Sequence, residues 1–118
     1  MTLRTALCTL LLTTAAIAQT RPQPDEILLD HAIADVQHDR FERARLILQT
    51  LINTYDHSLL IPKARLTIAE SWYREGGAHG LAQAQLELKD LIADYPKSPT
   101  ADDARKLLRK IQDPHPPK

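Results

Sequence analysis

The stretch FERARLILQTLINTYDHSLLIPKAR, residues 41–65, recurs forty residues later as LAQAQLELKDLIADYPKSPTADDAR, residues 81–105. The identical pairs are Ala44/Ala84, Leu46/Leu86, Leu48/Leu88, Leu51/Leu91, Ile52/Ile92, Tyr55/Tyr95, Ser58/Ser98, Ala64/Ala104 and Arg65/Arg105. Several are apolar positions three and four apart, which places the matches largely on one helical face. Both copies close on Tyr-x-x-Ser and carry an Ala-Arg pair six residues after the serine. A coincidence of leucines does not produce that ending. The chain therefore repeats one supersecondary unit with a period of 40 residues.

Working outward, the periodicity predicts five helices. The first runs from Asp25 to His38, with Asp25 as N-cap and Leu28, Leu29, Ala32, Ile33 and Val36 as its apolar face. The second runs from Arg40 to Tyr55, with Phe41, Ala44, Leu48, Leu51, Ile52 and Tyr55 inward. The third runs from Pro62, which suits a first turn, to Glu75, where Gly76-Gly77 stops it. The fourth spans Gly80 to Asp94 and ends at Tyr95-Pro96. The fifth starts at Thr100 in a capping-box-like Thr-Ala-Asp-Asp, with Ala104, Leu107, Leu108 and Ile111 inward. Strands have no support: no stretch alternates cleanly, and Val36 is the only valine. Short connections such as 37–40 make neighbouring helices antiparallel. The expected fold is all-α, a short stack of helix pairs closed by a fifth helix whose wet face is Arg105, Lys106, Arg109 and Lys110.

The first 18 residues read as a cleavable export signal. Arg4 is the positive start, Thr5 to Ile17 is mostly apolar, and Ala16-Ile17-Ala18 is a small-x-small cleavage site before Gln19. The apolar run is shorter than the ~20 residues needed to span a bilayer. Residues 19–24 then form a linker, 25–112 the helical domain and 113–118 a polar tail. Cys8, the only cysteine, lies inside the signal, so the mature chain has no disulfide and no thiolate. Gln19 stands where a lipoprotein carries its lipidated cysteine, which predicts a periplasmic protein without a lipid anchor of its own. Removing the signal lowers Lys plus Arg from 15 to 14 against 15 Asp plus Glu. A net charge near −1, with scattered signs, argues against a nucleic-acid partner.

The spacing Phe41-x-x-Ala44-x3-Leu48-x2-Leu51, repeated from Leu81 to Leu91, resembles the second half of the tetratricopeptide signature. Pro96 stands where that family places its closing proline, and Asp56 replaces it in the first copy. A period of 40 exceeds the family's usual ~34. A closer resemblance is to the outer-membrane assembly lipoproteins, the BamD-like group. It rests on ARLILQTLINTY at 44–55, AESWYREGG at 69–77 and DYPKSP at 94–99, and spans about residues 24–112. The resemblance implies a short right-handed solenoid of the tetratricopeptide type. It also implies a setting in outer-membrane protein assembly, with assembly components or unfolded barrel proteins as partners. The chain stops where a third repeat would begin. The Tol-Pal coordinator proteins share the repeat type and offer an alternative setting.

Chemistry-bearing motifs are scarce. Glycine occurs only at 76, 77 and 80, which leaves no phosphate loop and no nucleophile elbow. Ser58 and Ser98 occupy equivalent repeat ends, where a hydroxyl suits a turn. His31, Asp35 and His38 share a helix face at metal-ligand spacing. With no fourth ligand in sight they read as a solvated face. Glu70 and Arg74 form an i,i+4 pair of favourable orientation. No catalytic residue, metal site or cofactor is expected, and the protein reads as no enzyme.

The remaining signal is the aromatic pair Trp72-Tyr73. Adjacent helical positions point about 100° apart, so the two rings are not expected to be equally buried: either the pair serves the core alone, or one ring packs in the core and the other faces the concave surface. Thr67, Glu70, Ser71, Trp72, Tyr73 and Arg74 are the candidate peptide-binding groove, with Arg74 available to a peptide carboxylate. The expected function is a non-enzymatic periplasmic scaffold for protein or peptide partners. Homo-oligomerisation through the open ends of the stack is the alternative.

Overall fold

The repeated Tyr-x-x-Ser sequence folds the same way twice. In a computed structural model describing residues 21–114, the Tyr55 amide bonds the Leu51 carbonyl at 2.9 Å and the Ser58 amide bonds the Tyr55 carbonyl at 2.9 Å. Forty residues on, Tyr95 bonds Leu91 at 2.9 Å and Ser98 bonds Tyr95 at 3.1 Å. Each turn ends one helix and starts the next. The elements are α1 (Pro24–Gln37), α2 (Phe41–Thr54), α3 (Ile61–Glu75), α4 (Gly77–Asp94) and α5 (Pro99–Gln112). The described residues form an all-α structure, as the periodicity predicts. The predicted signal at 1–18, the start of the linker and the end of the tail lie outside the described residues.

Two caps differ from expectation. Gln23, not Asp25, caps α1, and Pro24 takes the first turn. The Glu26 carboxylate accepts from the Gln23 amide at 3.2 Å, and Asp25 accepts instead from the Ser58 hydroxyl, tying α1 to the repeat turn. At α5 the cap is Ser98, whose hydroxyl accepts from the Thr100 amide at 3.2 Å. Thr100 is thus already inside the helix. In both places a proline with its φ preset for a first turn starts the helix earlier than the polar residue behind it suggests. Helix α4 likewise begins at Gly77, three residues before Gly80. Gly76 and Gly77 both take positive φ, 75° and 73°, so α3 stops and α4 starts within two residues.

Each helix packs on its sequence neighbours, and α3 also touches α1 and α5. The apolar residues divide into two clusters. Leu29 and Ala32 of α1, Leu48 and Leu51 of α2, and Ile61, Ala64 and Ile68 of α3 form the first. Leu66 and Ala69 of α3, Leu88 and Leu91 of α4, and Ala104 of α5 form the second. Tyr95 packs against both. Helix α3 thus serves both cores, which explains why Leu66, Thr67, Ile68 and Ala69 are buried in succession. The matched Ala44/Ala84, Leu48/Leu88, Leu51/Leu91 and Ala64/Ala104 are fully buried. Each enclosed leucine contributes about 2–3 kcal/mol. Leu46 and Leu86, also matched, are the exception: they stand 66% and 54% exposed.

Helices α3 and α4 cross closely at Gly80. A Cβ there would lie 2.6 Å from the Trp72 carbonyl oxygen, so only glycine fits at this separation.

Candidate functional site

The first, third and fifth helices lie side by side and form one face of the stack. Between α1 and α3 that face holds a cavity of about 320 Å³. Ile33, Val36 and Gln37 line it from α1, and Thr67, Glu70, Tyr73 and Arg74 from α3. Tyr73 also lines a second cavity, of about 530 Å³, with Leu81, Lys110, Ile111, Asp113 and Pro114. The Tyr73 ring thus stands between two hollows, 36% exposed.

The aromatic pair divides as its helical spacing requires. Trp72 packs against the first core cluster. The Arg45 guanidinium lies over its indole, 3.6 Å from the ring centroid, and His79 meets it edge-on at 5.5 Å. Arg45 also bonds Ser71 Oγ at 3.2 Å and pairs with Glu75 at 3.1 Å. Trp72 and Ser71 therefore face α2 and α4, away from the cavity. Ser71 is fully buried, donating to the Ile68 carbonyl. Thr67 reaches the cavity but is 1% exposed, and its hydroxyl donates to the Lys63 carbonyl at 2.8 Å. Of the six candidates, Glu70, Tyr73 and Arg74 present side chains to the hollow, with Thr67 beneath them. Ile33, Val36 and Gln37 join them from α1. Ile33 and Val36 belong to an α1 apolar stripe too broad for one neighbour and expected wholly in the core, whereas Gln37 carries no such signal.

The expected Glu70–Arg74 pair does not form. Arg74 turns instead to Asp39, at 3.4 Å, in the α1–α2 turn. Glu70 is half-buried and makes no hydrogen bond or ion pair among the described residues. Loss of hydration pushes its carboxyl above the usual glutamate range. Lys63 counteracts this, Asp103 on α5 adds to it, and Arg74 again opposes it. Glu87, in a hollow on the α2–α4 side with Arg65 and Tyr95, is also raised by burial, with Arg65 opposing.

Of the His31-Asp35-His38 face, expected to be solvated, only Asp35 departs. Asp35 is buried at 3% exposure, with Oδ1 accepting from Arg40 Nε at 2.8 Å and Oδ2 3.2 Å from Arg43 Nε. It anchors α2 on α1, while His31 and His38 stay exposed. No cluster of three or more His, Cys, Asp or Glu suited to a metal occurs among the described residues. No described helix is long and apolar enough to cross a membrane.

No protein family, curated protein or solved structure matches the chain.

Proposed function

We propose that the protein is a non-enzymatic helical-repeat scaffold that holds a protein or peptide segment on its α1–α3–α5 face. The supporting observation is Tyr73, a large ring held between two hollows on α3, the helix that packs into both cores. Exposed aromatics in such places anchor partners, because they bury much area at small entropic cost. The export-signal reading of residues 1–18 and the resemblance to the outer-membrane assembly lipoproteins favour a periplasmic setting in envelope or outer-membrane protein assembly. Photocrosslinking tests this. A benzophenone side chain at position 73 should capture a discrete partner in the native cells, and the same group at exposed Lys89 should not. Equal or absent capture at both positions refutes the reading.

A second reading, self-association, draws on Leu46 and Leu86. These exposed leucines occupy equivalent places on α2 and α4, and paired apolar groups outside the core suit a contact between copies. Light scattering decides it: a dilution-resistant dimer that L46K/L86K dissociates supports it, and a monomer for the unaltered chain ends it.

A further inference from the structure

We infer that Glu70 is the specificity group of this face, and that the bound segment presents a lysine or arginine to it beside apolar side chains that settle around Tyr73. The inference deepens the scaffold reading and rests on it.

The argument begins with what Glu70 lacks. Asp35 has Arg40 and Arg43, Glu75 has Arg45, Asp94 has Arg65 and Asp102 has Arg105. Glu70 has an arginine one turn away on its own helix, in the favourable orientation, yet that arginine is engaged with Asp39. The carboxylate is left half-buried in a hollow whose other walls include Ile33, Val36 and Tyr73. Across the α3–α5 junction another acid, Asp103, adds its charge, and it too has no hydrogen bond or ion pair among the described residues. Lys63 offsets part of the burial cost from a distance, but it lies seven residues back on α3, about 10 Å along the axis, and forms no ion pair with Glu70 among the described residues.

Such a site is charge-complementary to one class of ligand. A cation entering the hollow restores the interaction that Glu70 lost with its hydration, and relieves repulsion from Asp103. An anion meets the Glu70 carboxylate in a place of reduced dielectric, and Arg74, the cation that also lines the hollow, is engaged with Asp39. The apolar walls require that the cation come on a chain carrying apolar neighbours, as a Lys or Arg in a protein segment does. A free metal ion or a hydrophilic amine gains nothing from Ile33 and Tyr73.

The test selects binders of the full chain from a random twelve-residue peptide library, then measures a labelled consensus peptide by fluorescence polarisation. The expected consensus has Lys or Arg flanked by apolar residues. Replacing that cation with Gln weakens binding to the wild-type chain by about tenfold or more. Glu70→Gln weakens the original peptide by a similar factor, with no further loss when both changes are combined. Circular dichroism should show E70Q as well folded as wild type. A consensus without cations, or E70Q binding unchanged, overturns the role of Glu70 and leaves the scaffold reading standing. Failure to select any peptide overturns both. Y73A, expected to weaken every selected peptide whatever its charge, separates loss of the face from loss of its charge preference.

Discussion

Truncating Leu48 and Leu46 in turn tests whether the repeat packs as its sequence match implies. The two residues are two positions apart on α2, hence about 200° apart around the helix. Leu48 is fully buried in the first cluster, and Leu46 is largely exposed. Leu48→Ala removes about three methylene-sized groups from the core, at about 0.8 kcal/mol each. The unfilled space adds about 1–2 kcal/mol, since packed neighbours collapse only in part. A loss of about 4 kcal/mol follows, against a total stability on the order of 5–15 kcal/mol for a domain. In thermal unfolding followed by circular dichroism, that corresponds to a Tm drop on the order of 15 °C or more. Leu46→Ala should stay within about 0.5 kcal/mol of wild type. The same contrast should recur for Leu88 and Leu86, because the repeat puts them in equivalent places. If L46A destabilises as much as L48A, α2 is rotated relative to the core and the packing argued here fails.

Glu70 should make stability depend on pH. Its carboxyl is raised in the folded state, so the fold holds that proton more tightly than the unfolded chain does. This contribution is fully present below the ordinary glutamate range and is lost as pH rises through the raised value. Urea titrations from pH 4 to 8 should show wild type losing stability relative to E70Q as pH rises, and parallel curves would contradict the assignment. Gly80→Ala should cost about 1–2 kcal/mol despite a helix-propensity gain of about 1 kcal/mol, because the new methyl meets the Trp72 carbonyl. A gain in Tm would show that the α3–α4 crossing is looser than described. Arg45→Ala uncovers the Trp72 ring and should shift its fluorescence to the red, with a loss of about 1–2 kcal/mol. Unchanged emission would mean that the guanidinium does not cover the indole.

The buried part of the repeat was legible in the sequence. Ala44, Leu48 and Leu51 mark one helical face at spacings of four and three, and the copy at 84, 88 and 91 does the same. Leu46 and Leu86, which were not among the residues expected inward, show that identity between copies does not report orientation. Asp25 and Thr100 misled because local cap chemistry competes with a neighbouring proline, and at Pro24 and Pro99 the proline set the start. Asp35 could not be read at all from its own helix. Its burial depends on Arg40 and Arg43, which arrive from the following turn and helix. The same holds for Glu70. The i,i+4 rule gave it Arg74, a pairing worth only about 0.2–0.5 kcal/mol, which a contact to Asp39 displaced.

That displacement bears on the binding proposed for the α1–α3–α5 face. Glu70 sits between Ala69 and Ser71, both fully buried, on the one helix that serves both cores. Its backbone cannot shift without disturbing packing on either side. The hollow is walled on one side by α1, which Asp35 and its arginines fix to the turn before α2. A carboxylate held this way loses little backbone freedom when a cation binds, so most of the interaction appears as affinity. The same fixation explains its unfavourable surroundings in the free protein, because the side chain cannot reach full hydration by moving the helix. A purely structural acid at this position would be expected to take the arginine one turn away. On the proposal made above, Glu70 stands without that partner on the helix that serves both cores because its partner lies outside the chain.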